Sequence, residues 1–323
     1  MMRLLVLALT FTTAFVQVSK TSPSPQSPSA KRSSTEDPGP ASGEDMPCPK
    51  GRKKIAEARF GDYVIRTYRW PEPEGCLQIT RRGAVVYSLV STDFEIGNNF
   101  YGFHNGANIP TGMDITGAGN PNAIVSEWSG GAHCCFTMHI FEIGNHFKEI
   151  ARIEADHSDG AHFVDLDHDG FYEFEGNDWA FAYWGASFMD SPAPRIVLKY
   201  RDGRFRLAFD LMRKPRPSHE DLAKMAHDIR SDSGWSPEAT GDCDESCGVP
   251  VALWKNMLDL MYGGHADLAW QLLDESWPAR QNAKSAFVGH FCKQLSGSRY
   301  WRDLKQAIGA CPPTATPATP VTP

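Results

Sequence analysis

The spacing of apolar positions changes once along the chain. From about residue 47 to 212 they fall in short β-branched and aromatic runs: CLQITRRGAVVYSL, MHIFEIGNHFKEIARIE and RIVLKYRDGRFRLAFDL. Runs of this kind, bounded by turn residues, predict strands. Asp202-Gly203 is a hairpin signal, because a tight two-residue turn needs positive φ, and Gly144-Asn145 is a second. From about 213 to 309 the period lengthens to three and four residues, which predicts helices with one buried face each. Ser218 and Asp221 have capping-box spacing before LAKMAHDIR. Val251–Tyr262 carries Leu253, Met257, Leu260 and Met261 at helical spacing and stops at Gly263-Gly264. ADLAWQLLDESW, NAKSAFVGHFCKQL and YWRDLKQAIG predict three more helices, joined by connections short enough for antiparallel neighbours. The fold class expected is α+β: a β-rich, propeller-like or sheet-repeat domain over 47–212, then a small α-helical domain over 213–309.

The ends read differently. Residues 1–19 have the form of a signal peptide, with Arg3 ahead of an apolar stretch from Leu4 to Val16 that is too short for an ordinary membrane span. Residues 20–46 are Ser, Pro, Thr, Gly and charge, and residues 310–323 are a Pro/Thr tail; neither can bury enough apolar surface to order itself. The expected location is secreted or periplasmic, with no transmembrane span once the signal is removed. The whole sequence of 323 residues has a formal net charge of −7, which argues against nucleic acid as a partner. The basic run KGRKK at 50–54 reads as a solvated strand entry.

Export makes the eight cysteines interpretable, because an oxidising compartment favours disulfides. Cys48 and Cys76 bracket the first strands, Cys292 and Cys311 the last helices, and Cys243 and Cys247 share one loop. Spacing alone leaves the pairing open. In SGGAHCCFTMHIF, His133, Cys134, Cys135 and His139 lie together, and three readings compete. They are structural disulfide partners, including a vicinal pair; a soft-metal site; or a Cys134/Cys135 nucleophile with His133 or His139 as base. The first follows from what secreted cysteines ordinarily do. GNDWAFAYWGASF alternates Trp179, Phe181 and Tyr183, which reads as the core face of a strand or, if exposed, as a surface that stacks on sugar rings or a protein partner.

A repeat of near 50 residues runs through the strand region. FEIGNNF at 94–100 recurs as FEIGNHF at 141–147, the turn-plus-Phe part recurs at YRDGRF (200–205), and each of the first two is followed by an acidic Gly loop. The second loop, Asp165-Leu166-Asp167-His168-Asp169-Gly170-Phe171-Tyr172-Glu173, places carboxylates at alternate positions. Such a set repels itself unless a hard cation gathers the oxygens, and Ca²⁺ takes six to eight of them. Asp165, Asp167, Asp169 and Glu173 are the expected side-chain ligands and the Phe171 carbonyl the backbone ligand, with Gly170 permitting the sharp turn. The flanks alternate like strands, and the twelfth position is Gly176 where an EF-hand needs Glu. The earlier loop offers Asp114, Thr116 and Asn122, but Ala118 stands where the central carboxylate would be, so it reads as the weaker site or a metal-free turn.

The two loops, DLDHDGFYE and DITGAGNPN, resemble those of FG-GAP and VCBS repeats, found in integrin-α-type propellers and many secreted bacterial proteins. Asp165, Asp167, Asp169, Gly170 and Glu173 fit that family's pattern, and Asp114, Thr116, Gly119 and Asn122 fit it in part. The resemblance covers about 120 residues, omits the helices, and implies a β-propeller-like fold. The function expected is an exported Ca²⁺-binding module, non-catalytic, that engages a protein or glycan ligand. The alternative is a secreted hydrolase using the loop cation or the Cys/His cluster; a purely structural envelope role is a third.

Overall fold

A computed structural model describes residues 48, 51–69, 74–99, 107–131, 134–235, 246–279 and 283–312. The signal peptide, the 20–46 linker, His133, Cys243 and residues 313–323 of the tail lie outside the described residues.

The chain is α+β. Among the described residues it forms three antiparallel four-stranded sheets, followed by helices. The first sheet is β1 (Lys53–Phe60), β2 (Tyr63–Arg69), β3 (Gly75–Arg81) and β4 (Ala84–Ser91). The second is β5 (Asp93–Ile96), β6 (Asn122–Trp128), β7 (Phe136–Ile143) and β8 (Phe147–Asp156). The third is β9 (His162–Val164), β10 (Glu173–Asn177), β11 (Arg195–Arg201) and β12 (Arg204–Leu207). Each is a meander in which sequence neighbours pair. The helices are α1 (Phe209–Met212), α2 (His219–Arg230), α3 (Val251–Tyr262), α4 (Ala266–Ser276), α5 (Lys284–Ser296) and α6 (Trp301–Ile308).

One of the two expected tight turns is present; Gly144 and Asn145 lie in the three-residue β7–β8 connection without positive φ. Asp202 (φ 53°) and Gly203 (φ 79°) close the β11–β12 hairpin with both residues left-handed. Ser218 and Asp221 form the reciprocal capping box of α2. Gly75 is required at the start of β3, because a Cβ there would lie 2.8 Å from the Thr92 carbonyl oxygen.

The second sheet is covered on both faces. Alternate side chains of a strand point opposite ways. On one face, Ala123, Val125, Phe141 and Ile143 pack against Ile65, Leu77 and Ile79 of the first sheet. On the other, Ile124, Met138, Ile140 and Ile153 join a larger core that includes Phe163, Phe174, Ile196 and Leu198 of the third sheet and Trp254, Phe287 and Phe291 of the helices. This accounts for the nearly unbroken burial of β6 and β7.

Trp179, Phe181 and Tyr183 do not share a strand face: β10 ends at Asn177, and the chain then turns through Tyr183 (φ 61°) and Gly185 (φ 60°), which a strand cannot accommodate. Phe181 and Trp184 are buried in the core, whereas Tyr183 is 59% exposed.

The two acidic Gly loops occupy matching places. Each precedes the second strand of its sheet, β6 in one and β10 in the other. The FEIGNHF and YRDGRF segments also match, as the β7–β8 and β11–β12 hairpins. The FEIGNNF segment instead begins in β5. Among the described residues no helix is long and apolar enough to cross a membrane.

Candidate functional site

The Asp165–Glu173 loop is held by its own backbone. The Asp165 carboxylate accepts the Asp169 and Gly170 N–H groups, each at 3.1 Å. Glu173 Oε2 accepts the Leu166 N–H at 3.0 Å, and Asp169 Oδ1 accepts that of Phe171 at 2.9 Å. Gly170 takes φ 88°, as the sharp turn requires. The Asp114–Asn122 loop repeats the two closing bonds position for position. Asp114 Oδ2 accepts the Gly119 N–H at 2.7 Å, and Asn122 Oδ1 accepts that of Ile115 at 3.0 Å. The loops touch through the Tyr172 N–H, which donates to the Ile115 carbonyl at 2.9 Å.

The loops differ in what their carboxylates still need. Asp114 Oδ1 also accepts the Thr116 N–H, the Thr116 hydroxyl and the Gly117 N–H, so this carboxylate is satisfied from within the loop. In the second loop Asp165, Asp167 and Glu173 bring one oxygen each to within 4.8 Å of one another, an arrangement that can hold a metal ion. Among the described residues no other group of three His, Cys, Asp or Glu side chains converges in this way. Asp169 is not part of that convergence and meets it only through a shared lysine. Phe171 supplies its N–H to Asp169, and its ring lies over Gly117, where an added Cβ would be 3.1 Å away.

A basic side chain that spacing did not reveal enters this cluster. Lys199, on β11, brings its ammonium to 2.6 Å from Asp167 Oδ2, 2.7 Å from Asp169 Oδ2 and 2.9 Å from Glu173 Oε1. The first two are hydrogen bonds, whereas Glu173 Oε1 is fully buried and outside hydrogen-bond geometry. Burial opposes the charge on Lys199, but its contacts with Asp167, Asp169 and Glu173 outweigh that and raise its pKa. The same ammonium, with the Phe171 N–H, holds Asp169 below the usual carboxylate range. One positive charge thus meets three of the loop's four carboxylates. The donor set suits a hard cation: all oxygen, several anionic, one of them buried and met by the Lys199 ammonium alone.

The Cys/His segment is arranged differently. Cys134 and Cys135 are at disulfide distance from each other across a cis peptide bond, and Cys48–Cys76 and Cys292–Cys311 are likewise at disulfide distance. Cys247 is disulfide-bonded, and none of the described cysteines is free. His139 points away from this turn into the space between the first two sheets and is completely buried. Its Nε2 lies 2.8 Å from Glu127 Oε2 and its Nδ1 2.7 Å from Glu149 Oε1. Both ring nitrogens are therefore engaged by carboxylates, which suits an imidazolium. Burial works against that charge, but the two glutamates outweigh it and raise the His139 pKa. Glu127 is pushed up by burial and down more strongly by His139 and Ser91. This Glu–His–Glu array is invisible to spacing, because register across β6, β7 and β8 assembles it.

No family model, no curated protein and no solved structure matches the chain.

Proposed function

We propose that the protein is an exported, non-catalytic binding module whose Asp165–Glu173 loop takes Ca²⁺. The observation that supports this is the convergence of Asp165, Asp167 and Glu173 oxygens on one point already occupied by a positive charge. A site that draws in an ammonium has the potential to draw in a divalent ion. Asp165, Asp167, Asp169 and Glu173 would hold the ion, with the Phe171 carbonyl as a backbone ligand. The ion would offset two of the loop's four negative charges and tie β9 to β10. The matching positions of the two acidic loops, and of two of the three hairpin segments, support a sheet repeat of the propeller-like kind, with the 114–122 loop as its metal-free copy. The signal-like start and the disulfide-distance pairs support export. The ligand on this reading is a protein or glycan.

Lys199 favours a second reading, in which its ammonium is the permanent counter-charge and no metal is needed. Thermal unfolding separates the two. Millimolar Ca²⁺ is expected to raise the melting temperature of the signal-cleaved protein by a few degrees, by mass action on the folded state, and Asp167→Ala to remove most of the gain. An unchanged melting temperature in Ca²⁺ would leave the lysine-clamped loop as the correct reading.

A further inference from the structure

A second site lies away from the acidic loop, where the end of β8, the segment after β10 and the end of α5 meet. A cavity of about 260 Å³ opens there, lined by Asp156, His157, Asp178, Trp179, Ser298 and Arg299. Its size is near the lower end for small-molecule pockets.

The polar lining carries an excess of negative charge. Arg299 carries the permanent positive charge among the lining residues, beside the titratable His157, and it is shared: Nη1 bonds Glu154 at 2.7 Å and Nη2 bonds Asp156 at 3.1 Å. Asp178 is buried and anchored. Its Oδ2 accepts the Tyr262 and Ser298 hydroxyls at 2.5 Å each, and its Oδ1 accepts the Ala180 N–H at 3.0 Å. Two carboxylates therefore line the cavity, and Glu154 takes part of the Arg299 guanidinium. Asp156 responds to this: burial raises its pKa, Arg299 opposes the rise, and Glu154 adds to it.

The lining also holds the Trp179 and His157 rings, with Phe188 packed behind them. The Trp179 ring is fixed by its Nε1–H bond to Ser158 Oγ at 2.9 Å. Phe188 stacks on it with centroids 5.3 Å apart, and His157 meets it edge-on at 5.0 Å. Beyond them Tyr183 and Met189 stand 59% and 87% exposed. An electron-rich ring face beside unbalanced carboxylates attracts cations. These carboxylates do not converge as metal ligands, unlike those of the acidic loop. A single metal ion would not be chelated here, whereas an organic cation can reach separated acceptors and lay its body on the rings.

We infer that this cavity binds an organic ammonium: a protonated primary amine held by Asp156 and Asp178, with its carrier packed against Trp179. Two sources share that chemistry, an amino sugar and a lysine-type side chain. The test is titration of the signal-cleaved protein, followed by tryptophan fluorescence and calorimetry. The probes are glucosamine, Nα-acetyl-lysine amide, N-acetylglucosamine and glucose. At least one of the two amines is expected to bind saturably, and that amine identifies the source. The capped and neutral sugars are expected to bind at least about tenfold more weakly, a difference near that of one lost charge contact. Asp156→Asn, which keeps the side-chain shape, should weaken the amine by roughly tenfold. The wild-type comparison of glucosamine with N-acetylglucosamine requires no variant to fold. Absence of binding by both amines, or equal binding of amine and capped sugar, would overturn the inference.

Discussion

Replacing His139 by leucine is expected to cost about 3–5 kcal/mol of folding stability, the range for removing one partner from a buried charge array. The imidazolium is fully buried between Glu127 and Glu149, whose side chains are only 10% and 14% exposed. Without it, two carboxylates face each other between packed sheets. Arg152, 3.5 Å from Glu127, and Ser91 offset part of the loss on one side; on the other, Tyr87 lies against Glu149 and carries no positive charge. Combining His139→Leu with Glu127→Gln and Glu149→Gln should recover a large part of the deficit, because an uncharged array has no unpaired ion to bury. Urea unfolding of the wild type, the single variant and the triple variant measures both effects, and a deficit below about 1 kcal/mol for His139→Leu would refute the charged array.

The same array sets a pH dependence. The folded-state pKa of His139 is raised, so its contribution is complete below the unfolded value of about 6.5 and is lost as pH rises through the folded value. Glu127 is lowered, so its contribution is complete above its unfolded value, about 4.3, and is lost as pH falls through the folded one. Wild-type stability should therefore decline from mildly acid toward alkaline pH, and His139→Leu should flatten that decline. An unaltered pH profile in the variant would show that His139 is not its source.

Lys199→Met is expected to lower the stability of the metal-free protein by roughly 2–3 kcal/mol, less than His139→Leu because Asp167 and Asp169 are 31% and 39% exposed to water. It removes the ammonium that bridges Asp167, Asp169 and Glu173 and leaves like charges at close range. The methionine retains the apolar stem, which separates charge from packing. Millimolar Ca²⁺ should then restore more stability to this variant than it adds to the wild type, since the ion no longer has to displace an ammonium. Melting curves of both proteins with and without Ca²⁺ read this directly. A variant as stable as wild type without metal would show that Lys199 does not balance the loop.

Local features of this protein were legible in its sequence, and assembled ones were not. Helices α3 to α6 follow from three- and four-residue spacing, because one buried face is a property of a single segment. The β11–β12 turn and the α2 cap follow from residues in direct succession. The acidic loop is legible for the same reason: its carboxylates lie within nine positions of one another. Lys199 is 32 positions from Asp167 and reaches it only because β11 pairs with β10 so that Leu198 lies opposite Phe174. The His139 array depends likewise on pairing across β6, β7 and β8, and the ammonium-binding cavity on where α5 packs. The segment after β10 misleads for a different reason. Three alternating aromatics imitate a strand, but left-handed backbone at Tyr183 and Gly185 ends any such run.

That the Asp165–Glu173 loop is a cation site is read by calorimetric titration with Ca²⁺. Wild type should bind saturably at one site, Lys199→Met more tightly, and Asp167→Ala at least about tenfold more weakly. Absence of Ca²⁺ binding by both the wild type and a folded Lys199→Met protein would contradict it.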